Sequence, residues 1–337
     1  MNREFLQLAK NYDPRRHGVG GWYVSEKLDG MRAYWDGGLT RGIKTSEIWF
    51  ANCEKDYKRI YLPVSTGLWS RYSKPINPPS WFLDALPGIP LDGELYLGPG
   101  RFQELMSIVK RLEPDDRWLD VKYMVFDSPS DYMMFSPGKI NNPNCKLIIG
   151  DVRDSIKRDM YAPAKMFYEM VPRLESIVPE SSNLKLVKQK RLPVITRAAE
   201  LKLEEMLNAV TDAGGEGLIL RKPESIWEPQ RTDNLLKLKR YLDAEATVIG
   251  YYWGKGKLEG LMGSAIVSWN GCTFELSGFT DSERVMSDNS NSEPGAVVKG
   301  AYNLKFIPGD KITFRYNELS DDGIPLKARY LRKNYAL

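Results

Sequence analysis

The sequence is poor in the residue types on which many enzymes depend. Its 337 residues include one histidine, His17, and three cysteines, Cys53, Cys145 and Cys272. The cysteines lie too far apart for a CxxC pair, so we expect no zinc finger and no disulfide framework, and a reducing cytoplasm is the expected compartment. A single histidine argues against a histidine-based triad or metal site. Any chemistry is therefore expected to rest on lysine, arginine and carboxylates.

Signals for membranes, secretion and common nucleotide loops are also missing. The chain has no apolar run of 18 residues, and its first residues, MNREFLQLAKNYDPRR, contain no apolar core of a signal peptide. Neither GxxxxGK[ST] nor a GxGxxG that follows a strand occurs, and the glycines of GKGKLEG (254–260) have the wrong spacing. If a nucleotide binds, we expect it to bind without a glycine-rich loop at a helix start.

Length and charge suggest two domains and local basic patches. The net charge is +4, from 48 basic and 44 acidic residues. Residues 242–337 hold 11 basic and 12 acidic residues, which leaves 37 and 32 for residues 1–241. Contacts with a polyanion are thus expected from patches in the first two thirds.

Hydrophobic spacing divides the chain into a mixed first part and an all-β last part. Residues 21–35 indicate a strand, a turn and a second strand. Further strands are predicted at 89–98, 120–127, 216–223 and 235–241, and helices at 101–112 and from Thr196 to about Ala213. In the last helix, Thr196 is the predicted N-cap, Gly214-Gly215 the stop, and Leu203, Met206, Leu207 and Val210 form an apolar stripe. Residues 128–150, which are rich in Ser, Pro, Asn and Gly, read as an irregular insertion.

The last part of the chain has the pattern of a small, closed antiparallel barrel. From Ala244 onward, short β-type runs alternate with glycine turns. We therefore place a domain boundary near 241–243, which gives domains of residues 1–241 and 242–337.

Charged residues recur inside segments that otherwise read as apolar strands. Buried charges are costly unless they are paired or bind a ligand. Each segment alone is most simply a strand with a turn acid. Six of them in one order are hard to explain by coincidence: EKLDGMR (26–32), LTR (39–41), LDGEL (91–95), VFD (125–127), EGLILRK (216–222) and LKLKR (236–240).

These six segments resemble the motifs of the covalent nucleotidyltransferases. KLDGMR matches the nucleophile motif KxDGxR, and LDGEL, YMVFD, EGLILRKP and LLKLKRYLDAEATV are similar to the later motifs of that superfamily. EGLILRKP, and the direct run of KLKRYLDAEATV into the barrel, favour the ATP-dependent DNA ligases of the small viral or phage type. That resemblance implies an α+β fold, in which an ATP-grasp-like adenylyltransferase domain of antiparallel sheets and helices precedes an all-β OB-fold barrel.

The resemblance also implies roles for individual residues. Lys27 would be the adenylated nucleophile. The nucleotide would be bound by Glu26 at the adenine edge, Phe126 stacked on adenine, Arg32 and Glu94 at the ribose, Lys237 and Lys239 at the α-phosphate, and Arg41. Glu94 and Glu216 would hold the metal. DNA would be contacted by Asp29 at the nick 3′-hydroxyl, by Arg41 at the nick phosphate, and by Lys255 and Lys257 at duplex phosphates.

Several of these residues keep a second interpretation. Phe126 could be a plain core residue, and Lys255 and Lys257 could lie on an ordinary exposed hairpin tip. Asp92 is expected to support the turn of its strand. Arg221 and Lys222 either reach phosphate or form a solvated pair.

The implied chemistry agrees with the residue inventory. A lysine attacks the α-phosphate of ATP only as a neutral amine, which at an unperturbed pKa is roughly one molecule in 10³ at pH 7. Nearby cations and burial are expected to lower the pKa of Lys27. Phosphoryl displacements need charge neutralisation and positioning more than acid–base groups.

The expected cofactors are ATP and Mg²⁺, for which Mn²⁺ is an expected substitute. We expect the protein to be a monomer whose partner is nicked duplex DNA. The absence of zinc-finger cysteines favours ATP over NAD. Two alternatives stay open: an RNA ligase or capping-type enzyme with the same lysine chemistry, and a non-catalytic OB-fold protein that binds nucleic acid.

Overall fold

The computed structural model describes residues 5–48, 50–52, 63–129, 165–290, 292–320 and 322–334. The insertion predicted at 128–150 lies, beyond its first two residues, outside this part of the chain. Two compact units are present, Met1–Lys239 and Arg240–Leu337, so that the division falls two residues before the predicted boundary. Within the described ranges, no helix has the length and apolar character needed to cross a membrane.

The first unit contains two five-stranded sheets. The strands of the first sheet are β1 (Leu8–Asn11), β2 (Tyr23–Glu26), β8 (Lys190–Arg191), β9 (Leu218–Arg221) and β10 (Arg231–Leu238). Those of the second are β3 (Met31–Asp36), β4 (Leu68–Ser70), β5 (Pro90–Tyr96), β6 (Lys122–Asp127) and β7 (Leu184–Leu186). Their orders are β1-β10-β9-β2-β8 and β4-β3-β5-β6-β7. Pairing is antiparallel except between β1 and β10 and between β6 and β7. The predicted strands at 89–98, 120–127, 216–223 and 235–241 are thus confirmed with small shifts at their ends.

The strands on either side of the SEKLDGMR segment belong to different sheets. The sequence predicts a strand, a turn and a strand here, and both strands are present. They do not pair with each other: β2 lies between β8 and β9, whereas β3 lies between β4 and β5. Residues 27–30 therefore connect the two sheets of the unit.

Four α-helices cover the sheets in the described part of the first unit. They are α1 (Ser80–Asp84), α2 (Phe102–Val109), α3 (Phe167–Ile177) and α4 (Thr196–Asp212). The apolar stripe predicted for α4 is confirmed, because Leu203 is buried among the side chains of the first sheet and Met206, Leu207 and Val210 pack beside it. The predicted cap is wrong by one residue: Ile195 occupies the N-cap position and no side chain caps the helix.

The second unit is a small β-barrel. Its main strands are β11 (Leu242–Trp253), β12 (Met262–Trp269), β13 (Cys272–Leu276), β14 (Lys311–Tyr316) and β17 (Arg329–Lys333); a two-stranded ribbon consists of β15 (Glu318–Leu319) and β16 (Pro325–Leu326). The sheet order is β13-β12-β11-β14-β17, and a bridge between Ser277 and Arg329 joins its two ends. Aromatic and β-branched residues such as Val248, Ile312 and Phe314 fill the interior, as expected for strands with one face inside a barrel. The predicted closed barrel is confirmed.

Candidate active site

Lys27 lies where the first sheet gives way to the second. It follows the last residue of β2, and its backbone N–H donates to the carbonyl of Gly217 at 2.8 Å. The Lys27 ammonium donates to Glu216 Oε2 and lies 3.4 Å from the carbonyl oxygen of Leu28. The direct charged partner of Lys27 is thus a carboxylate, whereas the sequence predicted cations around it.

Glu216 joins two of the predicted lysines. Its Oε1 accepts from Lys239, while its Oε2 accepts from Lys27, so that two ammonium groups share one carboxylate. Burial alone would raise the pKa of Glu216, but the two lysines together hold that pKa below its usual value. Glu216 therefore stays ionised at neutral pH.

Gly217 places Glu216 at this point. Its φ is +148°, and a Cβ there would lie 2.3 Å from the carbonyl oxygen of Leu238 on the neighbouring strand. Only glycine allows β9 to begin so close to the end of β10. The glutamate before it and Lys239 after β10 consequently meet.

Glu94 is the second carboxylate near Lys27. It lies in β5 opposite Arg32 of β3 and is partly buried. Burial raises the pKa of Glu94 to about 7, against the charges of Lys27 and Arg32, and the charge of Glu216 adds to the rise. Gly30 permits this approach, since a Cβ there would lie 2.8 Å from Glu94 Cγ. Glu94, Glu216 and Lys27 therefore form one electrostatically coupled group.

Arg32 is held by Asp92, a residue for which only a supporting role in a turn was expected. Asp92 is completely buried within β5 and binds the Arg32 guanidinium through two contacts of 2.6 Å. Trp227 Nε1 donates to the same carboxylate at 2.8 Å. The expectation that Asp92 supports a turn is wrong, because Asp92 lies inside the strand and fixes the orientation of Arg32.

Phe126 lies beside this group. The Arg32 guanidinium lies over its ring, with 4.5 Å between Arg32 Cζ and the ring centroid, and the ring is partly buried. The face of Phe126 predicted to stack on adenine therefore already carries a planar cation. Phe126 does not belong to the large buried cluster of the second sheet, which contains its neighbours Tyr123 and Val125.

Lys237 completes the cationic side of the site. Burial lowers the pKa of Lys237, and the nearby charges of Lys27, Arg231 and Arg71 lower it further. Lys237 is therefore electrostatically coupled to Lys27. The structure thus brings Lys27, Lys237 and Lys239 together with Glu94 and Glu216.

Glu26 and Asp29 lie in a more acidic corner of the same region. Burial raises the pKa of Tyr96 to about 12, and the charges of Glu26 and Asp29 contribute to that rise. Both acids are thus close enough to Tyr96 to act on it electrostatically. Glu26 is also close to Gly215, where a Cβ would lie 3.2 Å from its Oε1.

The remaining predicted residues do not join this group. Arg41 forms an exposed ion pair with Asp84 at 2.6 Å. Lys255 and Lys257 are exposed and belong to the second unit. A buried ion pair joins Arg221 to Asp127 at 2.8 Å, so the interpretation of Arg221 as part of a solvated pair is wrong; Lys222 is exposed.

Sequence reasoning missed Trp227 and Asp127 and underrated Asp92. Trp227 binds Asp92, and Asp127 binds Arg221. In each pair the two residues are far apart along the chain. The available signal was an acid in an apolar strand, as in LDGEL and VFD, but nothing in the sequence identified the partner.

Similarity to known proteins extends over both units. The DNA ligase of Haemophilus influenzae is 26% identical over 329 residues, which are 97% of this chain and 91% of that protein. The solved structure of a Lig E DNA ligase is 29% identical, with a TM-score of 0.65 and 98% of each chain covered. This chain is a homologue of the DNA ligases. The resemblance in the charged motifs is thereby confirmed.

Two further comparisons concern parts of the ligase homologue. Residues 253–333 match the family described as "DNA ligase OB-like domain", which confirms the assignment of the barrel. The DNA ligase of Thermococcus fumicolans is 36% identical over 104 residues, which are 30% of this chain and 18% of that protein. The α+β fold with a C-terminal OB-like barrel is thus that of DNA ligases.

Proposed function

We propose that this chain is an ATP-dependent DNA ligase that seals nicks between a 5′-phosphate and a 3′-hydroxyl in duplex DNA. The observation that carries the proposal is the group of Lys27, Glu216 and Lys239 at the junction of the two sheets, in a chain homologous to DNA ligases along almost its whole length. We further propose that the enzyme acts as a monomer in the cytoplasm, with residues 1–241 as the adenylation domain and 242–337 as the OB-fold domain.

Lys27 is the nucleophile of the first step. Its neutral amine forms a bond to the α-phosphorus of ATP as the bond to pyrophosphate breaks, which leaves AMP on Lys27. Glu216 binds Lys27 in the structure, so Lys27 must leave this contact and lose a proton before it attacks. Lys237 and Lys239 then neutralise charge on the phosphate, as ammonium groups two residues apart along an extended segment can do.

The carboxylates fit a divalent cation. Glu94 and Glu216 lie near each other and offer the hard oxygen ligands that Mg²⁺ prefers. A bound Mg²⁺ would neutralise phosphate charge and orient the leaving group. Glu216 binds Lys27 and Lys239 in the structure, so it would hold such an ion only after one of these contacts is broken.

The other residues position the nucleotide and the nick. Arg32, fixed by Asp92, and Phe126 form one wall for the adenosine, with Glu26 at the opposite edge. Asp29 and Arg41 are assigned to the nick, and Lys255 and Lys257 to duplex phosphates. In the later steps, AMP passes to the 5′-phosphate, and the 3′-hydroxyl then displaces it.

The proposal is tested by a label transfer experiment. Incubation with α-labelled ATP and Mg²⁺ should give a covalent protein–AMP adduct that Lys27→Ala abolishes and that Lys202→Ala, a change on the exposed face of α4, leaves intact. A label that persists in Lys27→Ala would refute the assignment of the nucleophile.

Substrate arms of the same experiment separate the alternatives. The adduct should form with ATP and not with GTP, which excludes a capping enzyme. A nicked all-DNA duplex should be sealed faster than one with RNA on the nicked strand, and the reverse order would indicate an RNA ligase. Complete absence of the adduct in the unaltered chain would favour a non-catalytic protein.

A further inference from the structure

The outer edge of the first sheet carries an uncompensated positive charge. β8, the edge strand, consists of Lys190 and Arg191 alone. Between Glu180 and Glu200 the chain has no acidic residue, but it has five basic ones: Lys185, Lys188, Lys190, Arg191 and Arg197. This is a local patch of the kind that the charge distribution along the chain predicted.

Three of these cations lack an acidic partner within the described residues. Lys185 and Arg197 form weak ion pairs with Glu180 and Glu200, at 3.9 and 3.4 Å. Lys188, Lys190 and Arg191 are exposed and form no ion pair with any residue in the described ranges. The lysines of the active site differ from them, since Lys27 and Lys239 are neutralised by Glu216.

Two apolar side chains project beside these cations. Val194 and Ile195 are 82% and 72% exposed, the two highest values among the large apolar residues that the structure describes. Their backbone is well anchored: Gly21 N–H donates to Pro193 O and Leu192 N–H donates to Trp22 O, both at 2.8 Å. A fixed, exposed apolar pair surrounded by unpaired cations suits an amphipathic, negatively charged partner.

The patch lies close to the reactive lysine along the same sheet. Lys190 pairs with Val24 of β2. Lys27 follows Val24 by three residues and comes directly after the end of β2. At a rise of about 3.3 Å per residue, this places Lys190 roughly 10 Å from Lys27 along the strand direction. Phosphates of one DNA strand follow each other at about 3.4 Å along the helix axis, so roughly three base pairs cover this distance.

We propose that a surface of Lys188, Lys190, Arg191, Val194 and Ile195, which we call the β8 edge, binds the backbone of duplex DNA about three base pairs from the nick. The three cations contact phosphates, and the two apolar side chains contact deoxyribose. The Tyr23 ring pre-orients Arg191 for this contact, since the guanidinium lies over it with Arg191 Cζ 4.8 Å from the ring centroid. The inference rests on the proposed function and adds a DNA contact outside the predicted site residues.

The first test reverses the three charges. In K188E/K190E/R191E, the slope of log K against log salt for nicked DNA should become shallower by about 2.7, since each phosphate contact contributes about 0.9. If the two proteins bind equally at 1 M salt, this slope difference amounts to about a 170-fold loss of affinity at 0.15 M. Formation of the protein–AMP adduct, which needs no DNA, should be unchanged and also reports that the variant is folded.

The matched control changes net charge by the same amount on another face. K110E/K122E/R173E alters three exposed cations: Lys110 directly after α2, Lys122 in β6 and Arg173 in α3. It should retain the slope of the unaltered chain. An equal loss in both variants would show that only net charge matters and would overturn the β8 edge.

A second variant tests the apolar pair. V194S/I195S should weaken nick binding several-fold at every salt concentration and leave the salt slope unchanged, because no phosphate contact is lost. If both edge variants form the adduct and bind nicked DNA as the unaltered chain does, the proposed DNA contact at the β8 edge is wrong, whereas the ligase proposal stands. Absence of the adduct in the unaltered chain would reject the ligase itself.

Discussion

At the scale of single residues, two buried carboxylates of the site have different partners. Asp92 binds Arg32 and Trp227 and has no exposed surface, so its partners stay in place. Glu216 binds two long lysine side chains at the end of strands, and those partners can be exchanged for a ligand. The first carboxylate therefore fixes geometry, while the second is the one that we propose takes part in the reaction.

Replacement of Trp227 by phenylalanine should therefore destabilise the protein. The variant loses a buried hydrogen bond to a charged group, which costs about 1.5–3 kcal/mol, and the adduct should form more slowly because Arg32 is less well held. Trp118→Phe is the control, since Trp118 is also fully buried and its Nε1 has no hydrogen-bond partner within the described residues. Urea unfolding of both variants should rank Trp227→Phe as clearly less stable, and equal stability would contradict the assigned bond.

Asp36 should make stability depend on pH in the direction opposite to that of a salt-bridged acid. Burial raises its pKa to about 6, although Thr40 and Trp69 donate to its carboxylate. The folded state thus binds a proton near pH 6, whereas the unfolded state binds it near the usual value of about 3.9. The free energy of unfolding contributed by Asp36 accordingly rises as pH falls from about 7 to about 4, by up to roughly 3 kcal/mol.

The measurement compares the unaltered chain with Asp36→Asn by urea unfolding between pH 4.5 and 7.5. The other carboxylates are common to both proteins and cancel in the difference. Asp36→Asn should gain stability relative to the unaltered chain as pH rises. Parallel curves over this range would show that Asp36 titrates normally.

At the scale of elements, local patterns were predictable and distant pairings were not. The apolar stripe of α4 and the short β-type runs of the barrel are visible in the sequence because they depend on neighbouring residues. β8 has only two residues, which is too short for any pattern. The assignment of β2 and β3 to different sheets depends on partners far along the chain, such as β9 for β2, and a single sequence does not contain that information.

The start of β9 should be intolerant of any side chain at residue 217. Gly217→Ala places a Cβ against the Leu238 carbonyl in an unfavourable backbone region, so we expect a loss of about 1–3 kcal/mol and slower adduct formation as Glu216 moves. Gly88→Ala is the control, because open space surrounds Gly88 and its φ is not positive. Thermal unfolding of the two variants distinguishes them; similar melting temperatures would contradict the close approach of β9 and β10.

At the scale of the whole molecule, the grouping of most residues of the proposed nucleotide site was predictable because they lie in short motifs. Lys27, Glu94, Glu216, Lys237 and Lys239 are grouped as the motifs implied. The supporting pairs Asp92–Trp227 and Asp127–Arg221 were not predictable, since each joins motifs that are distant in sequence. The two units were predictable from the change in pattern near residue 242.

Each unit has its own hydrophobic core, so the chain should unfold in two steps. The barrel core and the cores of the two sheets share no residue in the described ranges. Calorimetry should resolve two transitions, and ATP with Mg²⁺ should raise the temperature of one of them only, since AMP attaches within the first unit. Lys27→Ala should lose that shift, and a single two-state transition would contradict the prediction.

The sequence separation between Lys27 and the residues around it also determines when this site can first form in the cell. Lys239 follows Lys27 by 212 residues, and Glu216 by 189. At a synthesis rate of about 5–20 residues per second, Lys239 leaves the ribosome roughly 10–40 s after Lys27. During that interval the nascent chain carries Lys27 without the partners that we propose bind the nucleotide. With Lys27 as the proposed nucleophile, ATP consumption is therefore expected to begin only when the first unit is complete, and a truncated translation product should be inert toward ATP.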